Sequence, residues 1–252
     1  MQFRTTFAVA ALCSSALVAG CESLSPDAMM QTGMGAFNAA TLSDEEVHQM
    51  SEESCAQMDA EAQIAGADSV YGQRLETIAS NLGHEIDGTP VNYKVYLNDQ
   101  PNAWAMANGC VRVYSGLMDM MNDNEVEGVL GHELGHVALG HSKKSMQTAY
   151  ATSIARDAMA ASGNAAVASL SSSQLGDLGE KFVNAQFSQS QETAADNFSF
   201  ELLGERGISR EGLVTAFEKL ASLDGGEGSL MSSHPGSSER AENMRAKLNA
   251  EG

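Results

Sequence analysis

The sequence predicts an α+β fold in which helices predominate over one small β-sheet. Three observations carry that expectation. Apolar residues make up 43% of the 252 residues, enough to bury one substantial core in one compact domain or one with an extension. Strand-like alternation is concentrated between residues 91 and 114, and the chain beyond residue 115 is dominated by helical spacing of apolar residues.

The elements follow in order. Ser43-Asp-Glu-Glu46 has the form of a capping box, with Ser43 able to cap a helix and Glu46 able to reach back, and it opens an acidic amphipathic helix to about residue 65. Residues 68–82 read as a second helix. After a turn at Asp87-Gly-Thr-Pro, residues 91–97 alternate as a strand, and 103–107 with 111–114 read as two more joined by Asn108-Gly109. Helical patterns then cover about 115–122, 125–140, 143–160, 176–204, 209–223 and 237–249. The Ala-, Ser- and Gly-rich stretch 158–173 reads as a mobile connection or helical hairpin. Residues 224–229, Asp-Gly-Gly-Glu-Gly-Ser, read as a flexible loop.

Charge excludes some partners. With 14 Lys and Arg against 33 Asp and Glu, the net charge is -19, so the positive footprint that phosphate binding needs is missing and no nucleic-acid partner is expected. Direct adsorption to an anionic membrane is disfavoured for the same reason.

The N-terminus supplies another route to a membrane. Arg4 precedes a short apolar run ending in Leu17-Val-Ala-Gly-Cys21, which has the pattern of a secretory signal and is too short to cross roughly 30 Å of hydrocarbon. The last five residues look like a bacterial lipobox, whose cysteine takes a lipid; an ordinary signal peptide with Cys21 incidental is the alternative. The expected layout is a signal peptide over 1–20, a lipid-anchored tether over 21–40 and the main domain over 41–252. Glu22 after the cysteine, rather than Asp, directs the expectation to the periplasmic face of the outer membrane. Cys13 leaves with the signal and Cys21 is lipidated, so Cys55 and Cys110 remain in an oxidising compartment. A disulfide between them is the simplest account, with two separate buried thiols the alternative.

The chemistry concentrates in His132-Glu133-Leu-Gly-His136, inside a helix that Asn124 can cap. Positions four apart share a helix face, so both imidazoles can bind one metal while Glu133 projects toward a water. Catalytic zinc commonly takes three protein ligands. His141 is a weak third: on a continuous helix it lies about 180° around from His132, and a metzincin would need histidine at position 142, which is Ser142. It reads instead as a capping or surface histidine. Glu192 and Asp196, four apart in Ser190-Gln-Glu192-Thr-Ala-Ala-Asp196, suit the vacancy better: one can ligate zinc while the other hydrogen-bonds the outer nitrogen of a ligand histidine.

The His132-Glu-Leu-Gly-His136 motif, the Glu192–Asp196 segment, Asn102-Ala-Trp-Ala105, and Ser233-His-Pro235 followed by Arg240 together resemble the HtpX/BepA-type gluzincin metalloproteases over nearly the whole chain. The resemblance implies a zincin fold whose sheet has an edge strand bordering the cleft. It implies one Zn²⁺ on His132, His136 and Glu192, with Glu133 as general base. It also implies that Asn102, Ala103, Trp104 and Ala105 hold a substrate peptide as an added strand. Trp104 stands where many relatives have Phe, a change expected to alter cleft shape. For His234 the resemblance leaves two roles, a switchable fourth ligand or an oxyanion stabiliser, and a loop histidine held by Pro235 is the third reading. Arg240 either orients this segment or pairs with a carboxylate. The expected activity is zinc-dependent hydrolysis of polypeptides, from unfolded or membrane-associated envelope proteins, in quality control. A strand-binding assembly factor without catalysis and a zinc hydrolase of non-peptide substrates are the alternatives.

Overall fold

A computed structural model describes residues 42–160, 170–223 and 230–251. The expected signal peptide, the tether, the lipid site at Cys21, residues 161–169 of the Ala/Ser/Gly-rich stretch and the loop 224–229 lie outside the described residues. The chain opens with α1 (Asp44–Glu61), where the Ser43–Glu46 capping box forms in both directions. Ser69 caps α2 (Val70–Leu82). A tight hairpin, β1 (Glu85–Ile86) and β2 (Thr89–Pro90), then turns through Asp87 and Gly88, both at positive φ.

The main sheet contains β3 (Asn92–Tyr96), β4 (Ala103–Ala105) and β5 (Cys110–Tyr114) in the order β3-β5-β4, with β3 parallel and β4 antiparallel to β5. The expected edge strand is therefore at the edge. It is shorter than the alternation suggests, because the turn begins at Met106, whose N–H bonds Cys110 C=O at 3.0 Å. Gly109 in that turn has φ +77°, and a Cβ there would lie 2.0 Å from the Pro90 carbonyl oxygen, so no other residue fits without moving the hairpin.

Helices make up the remainder: α3 (Ser115–Met120), α4 (Asp123–Ala138), α5 (His141–Ala160), α6 (Ser172–Val183), α7 (Gln189–Glu205), α8 (Glu211–Ala221), α9 (Leu230–Ser233) and α10 (Ser237–Glu251). The single helix expected over 176–204 is two. It breaks because Ser188 and Gln191 form a capping box that starts α7, while the Phe187 N–H is drawn to the Ser233 carbonyl at 3.2 Å. Among the described residues, no helix is long and apolar enough to cross a membrane.

Two apolar clusters flank the sheet. One joins Val113, Leu130, Phe200, Phe217 and Met244, uniting the sheet with α4, α7, α8 and α10. The other gathers Trp104, Met146, Leu178 and Phe182 beneath α1, α5 and α6. The Cys55–Cys110 disulfide is present and ties α1 to β5 across 55 residues of sequence. Replacing both cysteines by serine is expected to cost about 4 kcal/mol through the freed chain entropy of the unfolded state. Urea unfolding without reductant measures this, and a loss below about 1 kcal/mol would contradict the entropic account.

Beside the disulfide, buried Arg112 donates to Asp59 through Nε (2.8 Å) and Nη2 (2.9 Å), and Lys94 and Tyr96 donate to the same carboxylate. Burial pushes the Asp59 carboxyl up, but these donors outweigh it and hold it at about 2. The folded value lies below the unfolded one of about 3.9. The stability contributed is therefore complete above about pH 4 and lost as pH falls through about 2. In Asp59→Asn the stability should vary less with pH across that window; an unchanged slope of unfolding free energy against pH would show that Asp59 is not responsible.

Candidate active site

The site is built on α4. Its N-cap is Asn122, in a capping box with Glu125, and this corrects the expectation of Asn124. The Asn124 side chain is committed elsewhere: its Oδ1 accepts from Gly212 N–H at 2.9 Å and its Nδ2 donates to the Ser209 carbonyl at 2.7 Å, fastening α4 to the start of α8. One turn apart on α4, His132 and His136 bring their Nε2 atoms to 3.0 Å.

Helix α7 crosses α4 where α4 has no side chains. A Cβ on Gly131 would lie 2.7 Å from Ser199 Oγ, and one on Gly135 3.0 Å from the Ala195 carbonyl oxygen, so these glycines permit the close approach. Glu192 in the first turn of α7 thereby reaches the histidines, with Oε1 3.3 Å from His136 Nε2 and Oε2 3.6 Å from His132 Nε2. His234, carried in just after α9, places Nδ1 3.0 Å from Glu192 Oε1 and 3.1 Å from His132 Nε2. One ligand-type atom from each of His132, His136, Glu192 and His234 lies within 4.8 Å of the others.

The electrostatics suit a cation. Burial pushes both His132 and His136 down, keeping them neutral with a lone pair available. Burial pushes Glu192 up, but the surrounding imidazoles of His234, His136 and His132 prevail and hold it well below the carboxylate range. For His234, burial is outweighed by the charges of Glu192 and Glu133, which push it up. Neutral imidazoles with an ionised carboxylate form the donor set that zinc requires.

Around this set, Asp196 Oδ1 lies 2.8 Å from His132 Nδ1. Arg240 forks onto Asp196, with Nε and Nη2 at 2.8 and 2.7 Å, and its Nη1 reaches Glu192 Oε2 at 2.6 Å. Its guanidinium rests over Phe217, 4.2 Å from the ring centroid. Of the two sequence readings of Arg240, pairing with carboxylates is the one observed. Phe187 stacks on His136 with ring centroids 3.8 Å apart. Neither aromatic stands out in the sequence, and Phe187, in the break between α6 and α7, carries no periodic signal. The Gly131/Gly135 approach did have one, two glycines four apart on a single helix face.

Glu133 is buried, and its Oε1 has no hydrogen-bond partner. Burial raises its carboxyl to about 7. A buried oxygen that makes no hydrogen bond, with His234 Nε2 3.5 Å away and metal-type donors converging beside it, fits a site shaped for zinc and a water.

The edge strand is close by but covered. Asn102, Ala103, Trp104 and Ala105 are all buried. The Ala103 N–H is bonded by Asn102 Oδ1 at 2.9 Å, the Ala105 carbonyl by Ser142 Oγ at 2.7 Å, and the Pro101 carbonyl by the Leu230 N–H at 3.1 Å.

A mainly helical domain with two histidines on one buried helix and a carboxylate from a helix packed across it defines a metallohydrolase of the gluzincin type. Comparison with known proteins narrows the class. The profile of "Peptidase family M48" matches residues 71–248. The chain is 54% identical over 243 residues to the metalloprotease LoiP of Escherichia coli K12, covering 96% of each chain. It is likewise 54% identical over 248 residues to the metalloprotease YcaL of the same organism, covering 97% of each. The protease HtpX of Nitrosococcus oceani is 43% identical over 70 residues, 26% of this chain and 23% of its own. The chain belongs to peptidase family M48 and is a zinc-dependent protease acting on polypeptides.

Proposed function

We propose that the chain is an endopeptidase of the bacterial cell envelope, holding zinc on His132, His136 and Glu192 with Glu133 as general base. The observation that carries this reading is the buried Glu133 carboxyl beside the converging donors, its Oε1 without a hydrogen bond and 3.5 Å from His234 Nε2. Bound zinc supplies Lewis acidity, which acidifies a water and polarises the scissile carbonyl. Glu133, raised to about 7 by burial, is matched to take a proton from water and deliver it to the leaving amine. Asp196 accepts from His132 Nδ1–H and fixes the tautomer that leaves Nε2 free.

The substrate is received as a strand along β4 at Asn102, Ala103, Trp104 and Ala105. Burial of that edge, and His234 standing among the ligand atoms, support a resting arrangement in which substrate enters only after the edge is uncovered. His234 is then the switchable ligand.

Residues 1–20 act as signal, 21–40 as tether and 41–252 as the catalytic domain. A diacylglyceryl and acyl modification at Cys21 anchors the chain to the periplasmic face of the outer membrane, where unfolded or membrane-associated proteins are degraded. The lipobox pattern supports the anchor, and the 54% identity to LoiP and YcaL over nearly the whole chain supports the family activity. Digestion of an unfolded protein by the purified chain should stop on chelation and resume with added zinc. Absence of cleavage in both states would overturn the assignment. For the anchor, Cys21→Ser should move the protein from the detergent phase to the aqueous phase; unchanged partitioning would refute lipidation.

A further inference from the structure

His141 is left without a role by the reading above, and its position is specific. Helix α4 ends at Ala138 with Leu139 as its C-cap, and Gly140 follows at φ +70° with its N–H on the Val137 carbonyl at 3.0 Å, the left-handed stop that glycine makes cheaply. The chain therefore leaves the helical path, and the sequence expectation of a histidine pointing away on a continuous helix fails. His141 begins α5 and folds back so that its Nδ1 lies 3.1 Å from Nδ1 of His136, with ring centroids 5.1 Å apart at 62°.

We infer that His141 is a positioning residue for the zinc ligand His136, accepting a hydrogen bond from His136 Nδ1–H through its own Nδ1. The inference rests on the proposed ligation of zinc by His136. The tautomers follow from the geometry. His136 Nε2 faces His132 Nε2 and Glu192 Oε1 at 3.0 and 3.3 Å, so Nε2 is the ligating atom and a neutral ring carries its proton on Nδ1. The atom facing that proton must accept, so His141 is unprotonated at Nδ1 and carries its proton on Nε2. His141 is not a ligand, because its Nδ1 meets the opposite edge of the His136 ring from the metal-facing Nε2. It is also absent from the group of convergent donors.

The two ligand histidines are thus oriented by different chemistry. His132 has the carboxylate of Asp196 at its outer nitrogen; His136 has a neutral imidazole there and the stacked Phe187 ring on its face. The adjoining Ser142 donates to the Ala105 carbonyl, which pins the turn carrying His141 to the sheet.

The test uses the identity of the accepting atom. In Asn the Oδ1 is bonded to Cγ, as Nδ1 is in histidine, whereas the Gln Oε1 sits one atom further out. Zinc affinity of the purified protein is measured by competition with a chromogenic chelator for wild type, His141→Ala, His141→Asn and His141→Gln. His141→Ala should bind zinc about 10- to 100-fold more weakly. His141→Asn should recover most of the loss and His141→Gln little of it. Melting of each variant in excess chelator should match the metal-free wild type. Equal affinity in wild type and His141→Ala, or equal recovery by Asn and Gln, overturns the inference. If His141→Ala does not fold, the Asn and Gln pair decides alone. A wild type that binds no zinc would instead refute the ligation on which the inference rests.

Discussion

Glu133→Gln is expected to retain zinc and lose proteolysis, with kcat falling by about 10²–10⁴-fold, the usual contribution of a positioned general base. The substitution keeps the shape of the side chain and removes its ability to take a proton. The expected ligands His132, His136 and Glu192 make no hydrogen bond to Glu133 Oε1, whose near neighbour is His234 Nε2 at 3.5 Å, so metal retention should follow. The position is demanding as well as suited to catalysis. Glu133 is 2% exposed, and burial is the largest cause of its rise to about 7. A neutral amide is cheaper to bury there than a carboxylate, so the variant should be at least as stable as the parent. Zinc content by atomic absorption, with digestion of an unfolded substrate, gives both readouts. A variant cleaving within tenfold of wild type would remove Glu133 from the role of base.

Arg240→Ala should have a large effect on stability, a loss of about 3–5 kcal/mol, because it strips the cation from two buried carboxylates at once. Arg240 is 6% exposed and Glu192 and Asp196 are each 1% exposed. Its bonds to them at 2.6 to 2.8 Å, and its seat over Phe217, tie α10 to α7 and α8. The planar fork matches the Asp196 carboxylate at both oxygens, which an ammonium cannot do. Arg240→Lys should therefore restore only part of the loss. Urea unfolding in chelator isolates the effect from metal binding. A loss below about 1 kcal/mol for Arg240→Ala would mean that the carboxylates are satisfied without it.

These two residues differ in how readily the sequence reveals them. Glu133 is legible because local periodicity alone places it: one helix at 3.6 residues per turn sets His132 and His136 on one face with Glu133 beside them. Glu192 could be proposed only from the vacancy that the motif leaves and from the resemblance, since nothing local ties it to a helix some 50 residues earlier. Arg240 stands out in the sequence without naming its partner. An arginine can pair with any carboxylate in a chain holding 33 of them, and only packing chooses.

The same limit explains the corrected details. Asn122 with Glu125 and Asn124 with Glu127 have identical capping spacing, so the sequence cannot rank them; Gly212 decides by claiming the Asn124 side chain. The helix expected across residue 185 breaks because a carbonyl from Ser233 and a capping box compete with its continuation. A continuous helix would carry His141 to the far side from His132, but the helix stops before Gly140, where a single left-handed residue redirects the chain.

By itself, then, the sequence determined the α+β class, the strand region, the pairing of Cys55 with Cys110 as the simplest use of two cysteines, and the metal-binding face of α4. All of these follow from spacing within one element or from composition. The tertiary structure alone decided which distant groups satisfy that face: Arg240 on Asp196 and Glu192, His141 on His136, Phe187 against the ring, and Ser142 on the strand edge. The physical reason is that a buried polar group must find a partner. Which partner it finds depends on contacts between elements, and neither periodicity nor propensity encodes those.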